Sequence, residues 1–411
     1  MKSIPTLDTL LVLSAGRQQI PLLQTGKRLG LRVVAIDPCA DALGRHLADA
    51  FYENDLGDLK ACRAIATRES ARGVLTAAAD FPVSTVAHLC TTLGLPGLSE
   101  VAAICSTNKH HMRRRLNEMG VPCPRSLSAR TYFEVIAALA EIDGAAILKP
   151  TVCSGGRGVT RLPARPSSDQ VRTAYESAIQ NTRSDGILVE EFIDGPEFSI
   201  ETLTFNGHTE IVAVTDKLTT GDPYFVEIGH SQPACVGDGD RRLLIDAART
   251  GIAALGIDWA ASHVEIRLGR EGPRIMEIGA RLGGGCITSH LVPLSSGVDM
   301  LRATIQLAMG QAPDLRRGSL RGAAIRFFAP KPGRVWHIAG VEEARRMPGV
   351  CDLEIYIPSG DVVPALRDSS CRVGHVVCEG ADAYEAIHRA EAAARRVQIF
   401  TESPIVSAVG A

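Results

Sequence analysis

The stretch ILKPTVCSGGRGVTRL, residues 147–162, joins a short apolar strand to a run of small residues. The strand ends near Lys149, and the sequence SGGRG follows at residues 154–158. Successive backbone N–H groups in a glycine-rich loop can bind phosphate, and a nearby lysine adds its charge. A surface hairpin turn would show the same pattern. The stretch alone therefore leaves a phosphate site and a plain turn both open.

A second stretch, SHVEIRLGREGPRIMEIG at residues 262–279, predicts a hairpin that brings two carboxylates together. If the turn is GREGP and Leu268 lies opposite Arg274, then Glu265 lies opposite Glu277. The same register places four apolar residues on the other face: Val264, Ile266, Met276 and Ile278. Opposed like charges repel unless a cation lies between them, and two carboxylates suit Mg²⁺. Two glutamates on a solvated face are the alternative interpretation.

The residues after this hairpin favour a ligand site. Glu277 is followed by IGARLGGG, with Arg281 at the end of the strand and glycines at 283–285. Arginine suits a planar anion such as carboxylate or phosphate, and glycines let the backbone approach a ligand closely. Cys286 follows the glycines. Cys286 and Cys153 are interpreted as small space-fillers, since no base is apparent near either thiol.

Composition indicates an ordinary globular protein. The 411 residues are 45% hydrophobic and 22% charged, and the formal net charge of −2 gives no sign of a nucleic-acid or membrane partner. The apolar run near the N-terminus is too short for a spanning helix, and Pro5 interrupts the approach to it. Eleven cysteines are scattered without a C-x-x-C pair, which favours a reduced, cytoplasmic protein.

The N-terminal segment alternates strand and helix signals, with strands at 9–16, 31–37 and 73–80 and a helix at 21–30. This alternation predicts a parallel α/β sheet. No G-x-G-x-x-G follows the first strand, which argues against dinucleotide binding. A helix is predicted to start after Ser106, Thr107 and Asn108 and to end at Gly120.

The middle and C-terminal segments mix both element types. A hairpin at 198–217 turns at Asn206–Gly207, and a helix is predicted near 240–255. Residues 222–234 show no strong periodicity and are interpreted as a functional loop. Further strands are predicted at 322–330, 350–358 and 372–380, and a helix at 382–398.

Taken in order, Lys109, Lys149, the glycine-rich loop, the two glutamates and Arg281 resemble the ATP-grasp superfamily of carboxylate–amine ligases. The resemblance covers nearly the whole chain and implies a mixed α/β and α+β protein with the ATP-grasp fold. Four parts are implied: an N-terminal parallel α/β domain at 1–125, a lid subdomain at 126–195, a large ATP-binding subdomain with the metal site at 196–318, and a C-terminal α+β domain at 319–411.

The resemblance also implies which residues bind ATP. They comprise two phosphate lysines, four residues of a mobile lid loop, four of the hinge strand VEEFI that holds adenine by its backbone, and one ribose-hydroxyl acceptor. In that order they are Lys109 and Lys149; Ser154, Gly155, Gly156 and Gly158; Glu190, Glu191, Phe192 and Ile193; and Glu197. Without the resemblance, Lys109 would be an ordinary helix lysine and Glu190 a surface charge.

Glu265 and Glu277 match the family's Mg²⁺ ligands, with Mn²⁺ as an alternative metal, and Arg281 matches the arginine that steadies an acyl phosphate. One departure concerns the position two residues after the second glutamate. Many members carry asparagine there as a further metal ligand, and this chain has Gly279. The departure implies that water takes a larger part in metal coordination, or that a second ion is held less tightly.

The pattern E-x-G-H-x-x-P at residues 227–233 resembles the L-amino-acid ligase branch, as does the C-terminal segment. The resemblance implies that Glu227 and His230 contact the amino group of the first amino acid. A loop salt bridge for Glu227 and a packing role for His230 are the alternatives.

The implied activity joins two amino acids. A carboxylate attacks the γ-phosphate of ATP, and an amine then attacks the acyl phosphate to give an amide, ADP and phosphate. Two other functions stay open: a purine-biosynthesis type of ATP-grasp enzyme acting on a phosphoribosyl substrate, and a non-catalytic nucleotide-binding protein. The glycines at 283–285 suggest room for a bulky first substrate. A homodimer is the default oligomeric state.

Overall fold

The computed structural model describes residues 7–182, 184 and 186–402. Within these residues the chain is a mixed α/β protein, as predicted, and it contains four β-sheets. The outer ends of the first and last predicted domains, including Pro5, lie outside the described residues.

The N-terminal segment forms a four-stranded parallel sheet of order β3–β2–β1–β4. Leu10 and Val12 pack into one core and Leu11 and Leu13 into another, because successive side chains of a strand point to opposite faces. The elements are β1 (Thr9–Leu13), α1 (Ile20–Arg28), β2 (Arg32–Asp37), β3 (Ala50–Glu53), α2 (Leu59–Arg68), β4 (Ala71–Leu75), α3 (Val83–Leu93), α4 (Glu100–Thr107) and α5 (Lys109–Glu118). The three predicted strands are confirmed, and the short edge strand β3 was not predicted.

The next segment is a small antiparallel sheet of order β5–β8–β6–β7, packed against two helices. Both helices begin with a capping box, at Thr131 and Ser167, which satisfies N–H groups that the helix leaves free. The elements are β5 (Ser126–Ala129), α6 (Tyr132–Ile142), β6 (Ala146–Pro150), β7 (Thr160–Leu162), α7 (Ser168–Asn181) and β8 (Ile187–Glu191). Lys149 lies at the end of β6, as predicted.

The third segment supplies five neighbouring strands of an eight-stranded sheet. The first hairpin turns at Asn206–Gly207 as predicted, and both residues have positive φ angles. The elements are β9 (Glu197–Phe205), β10 (His208–Thr219), β11 (Glu227–Gln232), α8 (Asp238–Ala254), β12 (Ala260–Gly269), β13 (Gly272–Gly279), α9 (Val292–Ser296) and α10 (Met300–Ala308). The loop prediction for 222–234 is wrong in its second half. Strand β11 pairs with β10 on one side and with a strand of the C-terminal segment, β14 (Gly322–Phe327), on the other.

The C-terminal segment extends the same sheet, whose full order is β13–β12–β9–β10–β11–β14–β18–β16. Its elements are β14 (Gly322–Phe327), β15 (Gly333–Ala339), α11 (Val341–Arg345), β16 (Val350–Ile355), β17 (Val362–Val363), β18 (Gly374–Gly380), α12 (Ala383–Arg396) and β19 (Gln398–Glu402). Helix α12 buries a stripe of alanines at helical spacing: Ala383, Ala386, Ala390 and Ala393. The boundary at 318/319 stays a prediction, since one sheet carries strands from both sides of it.

In the part of the chain that the structure describes, no helix combines the length and apolar composition needed to cross a membrane.

Candidate active site

A cleft of about 420 Å³ takes side chains from all four segments of the chain. Most of the residues predicted to form the site lie on its wall: Lys109, Lys149, Ser154, Gly155, Gly156, Glu190, Glu191, Phe192, Ile193, Glu197, Glu227, Glu265, Glu277 and Arg281. Gly158 and His230 do not line it. Gly158 packs instead against the end of α7, where an added Cβ would lie 3.0 Å from Asn181 and Pro150.

Lys109 is a buried residue at the start of α5, with a relative exposure of 4%. Asn108 caps this helix by accepting hydrogen bonds from two backbone N–H groups, which orients the first turn towards the cleft. The Lys109 ammonium donates to the carbonyl of Cys153 and to Glu277, both at 2.9 Å. The ordinary surface-lysine interpretation is therefore excluded by burial.

Lys149 forms a buried ion network with two partners. Its Nζ lies 2.6 Å from Glu190 Oε2, and Arg113 donates to the same carboxylate at 2.8 and 3.2 Å. Burial lowers the pKa of Lys149 most, and the charge of Arg113 lowers it further. The Glu190 carboxylate raises the pKa, but it does not outweigh these two effects. Glu190 is thus a counter-ion that positions Lys149, and its surface-charge interpretation is wrong. Arg113 lies four residues after Lys109 and shares its helix face.

The loop after β6 has three glycines in a backbone conformation that other residues rarely adopt. Gly155, Gly156 and Gly158 all have positive φ angles, which an L side chain rarely adopts. The Gly155 carbonyl accepts a hydrogen bond from the N–H of Ser369 at 3.0 Å. The loop therefore lies against the C-terminal segment, and Ser369 itself lines the cleft.

The hinge after β8 provides a flat apolar wall. Phe192 lies 5.6 Å from Phe225 between ring centroids, and the Arg161 guanidinium lies 4.4 Å above the Phe192 ring. The Phe192 N–H donates to the carbonyl of Ala145, whereas Glu191 accepts from the N–H of Arg125. Aromatic faces on the wall of the cleft suit a planar heterocycle.

The two glutamates of the second hairpin are opposite each other, as predicted. The register beyond them is different: a bulge after Glu265 pairs Ile266 with Ile275 instead of Met276. Ile275 is consequently buried in the core, and Met276 lines the cleft. The predicted face for Met276 is therefore wrong, because one extra residue in a bulge reverses the alternation of side chains.

Lys217 of β10 links three carboxylates. Its Nζ lies 2.8 Å from Glu197, 2.8 Å from Glu227 and 2.7 Å from Glu265, and its side chain is only 2% exposed. Burial alone would lower the pKa of Lys217, but the three carboxylates raise it well above its ordinary value. This residue was not predicted from the sequence. Its strand, HTEIVAVTDKLT, contains several other polar residues, so no local pattern marks the lysine.

A buried histidine supports Glu265 from the other side. His263 pairs through Nδ1 with Glu201 at 2.6 Å and through Nε2 with Glu265 at 3.3 Å. Burial disfavours its charged form, but the two carboxylates raise the pKa of His263 to about 9. Gly283 leaves room for this pair, since an added Cβ would lie 2.8 Å from Glu201 Oε2 and 2.9 Å from His263 Nδ1.

Arg281 is held by an aspartate of the N-terminal segment. Its Nε donates to Asp80 Oδ1 at 2.9 Å, and the two side chains are 11% and 7% exposed. An added Cβ at Gly279 would lie 2.9 Å from Arg281 Cζ. The guanidinium therefore occupies the space that a side chain at position 279 would need.

Glu227 and His230 lie 3.7 Å apart on β11. Burial alone would raise the pKa of Glu227, but Lys217 lowers it to about 2. His230 is 1% exposed, and neither ring nitrogen has a hydrogen-bond partner among the described residues. Burial lowers its pKa to about 3, so the imidazole is neutral at physiological pH. His230 lies just behind Gly285, whose added Cβ would be 3.2 Å from His230 Nε2.

The C-terminal segment adds a cation that sequence analysis did not identify. Arg372 lines the cleft, lies 3.8 Å above the ring of Phe327, and approaches Glu227 Oε2 to 3.7 Å. No local pattern marks this arginine, because its partners are more than a hundred residues away or on another strand.

The opposed glutamates fit a magnesium site that phosphate oxygens complete. Each carboxylate is neutralised by a lysine, Glu265 by Lys217 and Glu277 by Lys109, so cationic charge already lies where a metal would be held. Among the described residues, no group of three or more His, Cys, Asp and Glu side chains could hold a metal by itself. Mg²⁺ usually binds one or two carboxylates plus substrate phosphates, so two glutamates suffice.

Comparison with known protein families assigns two parts of the chain. Residues 142–289 match the ATP-grasp domain, and residues 326–402 match the L-amino acid ligase C-terminal domain 2. The first region contains Lys149, the glycine-rich loop and both glutamates, and the second contains Arg372.

Two curated relatives match more than half of the chain. An uncharacterised protein of Sinorhizobium fredii is 32% identical over 307 residues, which are 74% of this chain and 63% of that protein. Alanine–anticapsin ligase of Bacillus subtilis is 28% identical over 260 residues, 58% of this chain and 54% of the ligase. The chain thus spans between half and two thirds of the length of these relatives.

Two solved structures share the fold. The L-amino acid ligase from Bacillus licheniformis has a TM-score of 0.84 at 21% identity, covering 97% of this chain and 100% of that one. Phosphoribosylglycinamide synthetase from Anaerococcus prevotii has a TM-score of 0.76 at 21% identity, with 96% and 100% covered. Residues 142–289 therefore belong to the ATP-grasp domain family and residues 326–402 to the L-amino acid ligase C-terminal domain 2 family, and the chain has the fold of these two solved structures.

Proposed function

We propose that this protein is an ATP-dependent carboxylate–amine ligase that joins two amino acids through an acyl phosphate. The observation that carries the proposal is one cleft with buried lysines, two opposed glutamates and Arg281, facing Glu227 of the E-x-G-H-x-x-P pattern. The matched L-amino acid ligase C-terminal domain supports the same activity.

ATP binds with its adenine against the hinge, where Phe192 and Ile193 offer an apolar wall and a backbone edge. Lys109 and Lys149 bind the phosphates, and the N–H groups of the glycine-rich loop cover them. Glu197 accepts from the ribose. Mg²⁺, or Mn²⁺ in its place, would be held by Glu265 and Glu277 and would supply charge neutralisation to the phosphoryl group in transfer.

The first amino acid lies with its carboxylate near Arg281 and its ammonium group near Glu227. An ammonium there would replace Lys217 as the partner of the Glu227 carboxylate, and neutral His230 lies 3.7 Å from the same carboxylate. The substrate carboxylate attacks the γ-phosphate and releases ADP. The amine of the second amino acid then attacks the acyl carbon, and phosphate leaves with the former carboxylate oxygen. Arg372, the further cation on the cleft wall, suits the carboxylate of an incoming amino acid.

The start of the N-terminal segment argues against a phosphoribosyl substrate. Such a substrate would need the turn after β1 to receive its phosphate. Arg17 of this turn is instead paired with Glu354 and lies 4.4 Å above the ring of Tyr356, both in the C-terminal segment. We therefore rank amino acids above phosphoribosyl compounds, with a bulky first amino acid accommodated by the glycines at 283–285. We further propose a cytoplasmic homodimer, since all eleven cysteines are free and twofold dimers are the commonest oligomers.

The test is phosphate release from ATP and Mg²⁺ with a panel of single and paired L-amino acids, and with product mass measured for each active pair. Glu277→Gln removes one opposed carboxylate, and Glu271→Gln in the exposed turn of the same hairpin is the matched control. Release that requires particular amino acids, is lost in Glu277→Gln and is retained in Glu271→Gln supports the proposal. Release that requires a phosphoribosyl amine instead, or ATP binding without turnover, would contradict it.

A further inference from the structure

A second cluster of reactive side chains lies behind the cleft. Cys286 immediately follows the three glycines and begins a one-turn π-helix at Ile287–Leu291. Its sulfur lies 3.9 Å from His375 Nε2, and His290 is a second imidazole that lowers the pKa of its thiol. The expectation that no base lies near Cys286 is therefore wrong, because β18 brings His375 next to it across 89 positions of sequence.

Both histidines are oriented by further groups. His375 Nε2 lies 2.7 Å from Asp352 Oδ2, and its Nδ1 is hydrogen-bonded to the hydroxyl of Tyr356. His290 Nε2 lies 3.7 Å from the same aspartate oxygen. A sulfur, two imidazoles and one carboxylate thus form a compact set. Asp352 and Cys286 approach the same ring nitrogen of His375, so the carboxylate favours an imidazolium next to the sulfur, and a neighbouring cation is one of the features that activate a cysteine nucleophile.

The charges around the sulfur favour its ionised form. Burial raises the pKa of the Cys286 thiol, but hydrogen bonds from His290 and His375 outweigh burial and lower it to about 6. Burial disfavours a charged His375, yet Asp352 and Cys286 raise its pKa to about 9. By contrast, burial without such partners raises the pKa of Cys90 to about 12.

The neighbouring elements add charge of both signs at a greater distance. Arg17 of the N-terminal segment lies over Tyr356 and pairs with Glu354, and Arg372 stacks on Phe327 beside His375. Burial raises the pKa of Tyr356, which keeps its hydroxyl protonated.

We propose that Cys286, His375 and Asp352 form a nucleophilic cysteine site at which a hydroperoxide oxidises the sulfur to a sulfenic acid. The thiolate attacks the terminal oxygen of ROOH, an S–O bond forms and the O–O bond breaks. Sulfur gives up two electrons and the peroxide takes them. The departing alkoxide receives the proton of the His375 imidazolium and leaves as ROH, while the sulfur carries OH. A hydroperoxide is small enough to reach a partly buried sulfur.

The site also has a consequence for the cleft, which rests on the proposed function. Gly285 and Ile287, on either side of Cys286, both line the cleft. Adding an oxygen atom to Cys286 would push on these two residues and lower the rate of amide formation.

The experiment measures the rate of iodoacetamide labelling of every cysteine against pH by peptide mass spectrometry, and traps sulfenic acid with dimedone after hydrogen peroxide. Both readouts are independent of ligase activity. We expect a midpoint near pH 6 for Cys286, and at pH 6 labelling roughly tenfold faster than for an ordinary thiol, since a larger thiolate fraction outweighs its lower nucleophilicity. Cys235 and Cys351 are the internal references for the labelling rate. Both residues are exposed enough to react, and the partial burial of each thiol raises its pKa.

His375→Gln should shift the midpoint upward and abolish dimedone trapping, whereas His337→Gln on the exposed face of β15 should change neither. The wild-type pH profile decides the matter even if His375→Gln folds poorly. A Cys286 midpoint at or above that of Cys235, or a stoichiometric zinc ion that blocks labelling until chelated, would overturn the proposal.

Discussion

Two glycines show how single residues determine the shape of this cleft. Gly279 and Gly283 both leave space that a charged side chain fills, Arg281 in the first case and the His263–Glu201 pair in the second. Neither glycine needs a positive φ angle. Their role is steric, so substitutions here should disturb the neighbouring charge before they disturb the backbone.

Gly279→Asn is expected to displace the Arg281 guanidinium, because the new Cβ would lie 2.9 Å from its Cζ. The end of a flexible side chain can move, so unfolding free energy should change by about 1 kcal/mol or less. Amide formation should fall at least about tenfold, because we propose that Arg281 steadies the acyl phosphate. Steady-state kinetics and urea unfolding measure the two effects separately.

The matched control is Gly239→Ala, at an exposed position of α8 where nothing lies within 4 Å of an added Cβ. It should leave the rate of amide formation unchanged and raise the free energy of unfolding by no more than about 1 kcal/mol, because alanine is the better helix former. If Gly279→Asn kept full activity and reached it at a lower Mg²⁺ concentration, asparagine could serve as a metal ligand here without moving Arg281.

His230 predicts a pH dependence of stability. Burial lowers its pKa in the folded protein to about 3, whereas the unfolded chain has the ordinary value near 6.5. The unfolded state therefore binds an extra proton between these values, and stability falls as pH is lowered through this window. One proton corresponds to about 1.4 kcal/mol per pH unit at most.

Urea unfolding of the wild type and of His230→Gln between pH 7 and pH 4 measures the contribution of His230 to the unfolding free energy. The difference in unfolding free energy between them should shrink as pH falls. His208→Gln, at an exposed histidine of β10, should track the wild type. Parallel pH profiles for all three proteins would mean that His230 is not a buried neutral group.

At the scale of elements, Lys217 connects four neighbouring strands of the large sheet. Its partners Glu197, Glu227 and Glu265 lie on β9, β11 and β12, in the sheet order β12–β9–β10–β11. Three carboxylates facing one side of a sheet would repel each other without this ammonium. The lysine therefore holds together the part of the sheet that carries the cleft.

Lys217→Met is expected to lower the unfolding free energy by roughly 3–5 kcal/mol, the range for removing one partner of a buried ion pair. Methionine keeps the length of the side chain, so lost charge is the main change. The measurement is chemical denaturation at pH 7, with Lys60→Met on the exposed face of α2 as the control. Equal stability of the two variants would refute a structural role for Lys217.

At the scale of the whole molecule, the large sheet and the C-terminal segment share one core. Strand β11 pairs with β14, and Ile325, Phe327 and Val377 pack in the same cluster as Leu282 and Leu291. Arg372 and Ser369 reach the cleft from the C-terminal side. The cleft therefore depends on both parts being folded at once.

The two tryptophans allow a test of this dependence. Trp259 packs against the shared core, and Trp336 lies on β15 of the C-terminal segment. We expect one cooperative transition in each of the variants Trp336→Phe and Trp259→Phe. In each, fluorescence of the remaining tryptophan and far-UV circular dichroism should have the same midpoint. Fluorescence that changes before or after the dichroism would show that the C-terminal segment unfolds separately.

Much of the fold was predictable because its signals are local. The strands of the N-terminal sheet, the Asn206–Gly207 hairpin, helix α12 and the pairing of Glu265 with Glu277 all follow from periodicity or turn chemistry within a few residues. The errors are local too. The bulge that moves Met276 into the cleft, and strand β11 within a supposed loop, leave no clear trace in periodicity.

By itself the sequence determined the fold class and the order of Lys109, Lys149, the glycine-rich loop and the paired glutamates, from which the resemblance to the family followed. Only the tertiary structure decided what surrounds them. Asp80 reaches Arg281, Arg113 reaches Glu190, and His375 reaches Cys286 across 201, 77 and 89 positions of sequence. No short-range pattern encodes such pairs, because burial and charge neutralisation act on whichever residues the packed sheets bring together.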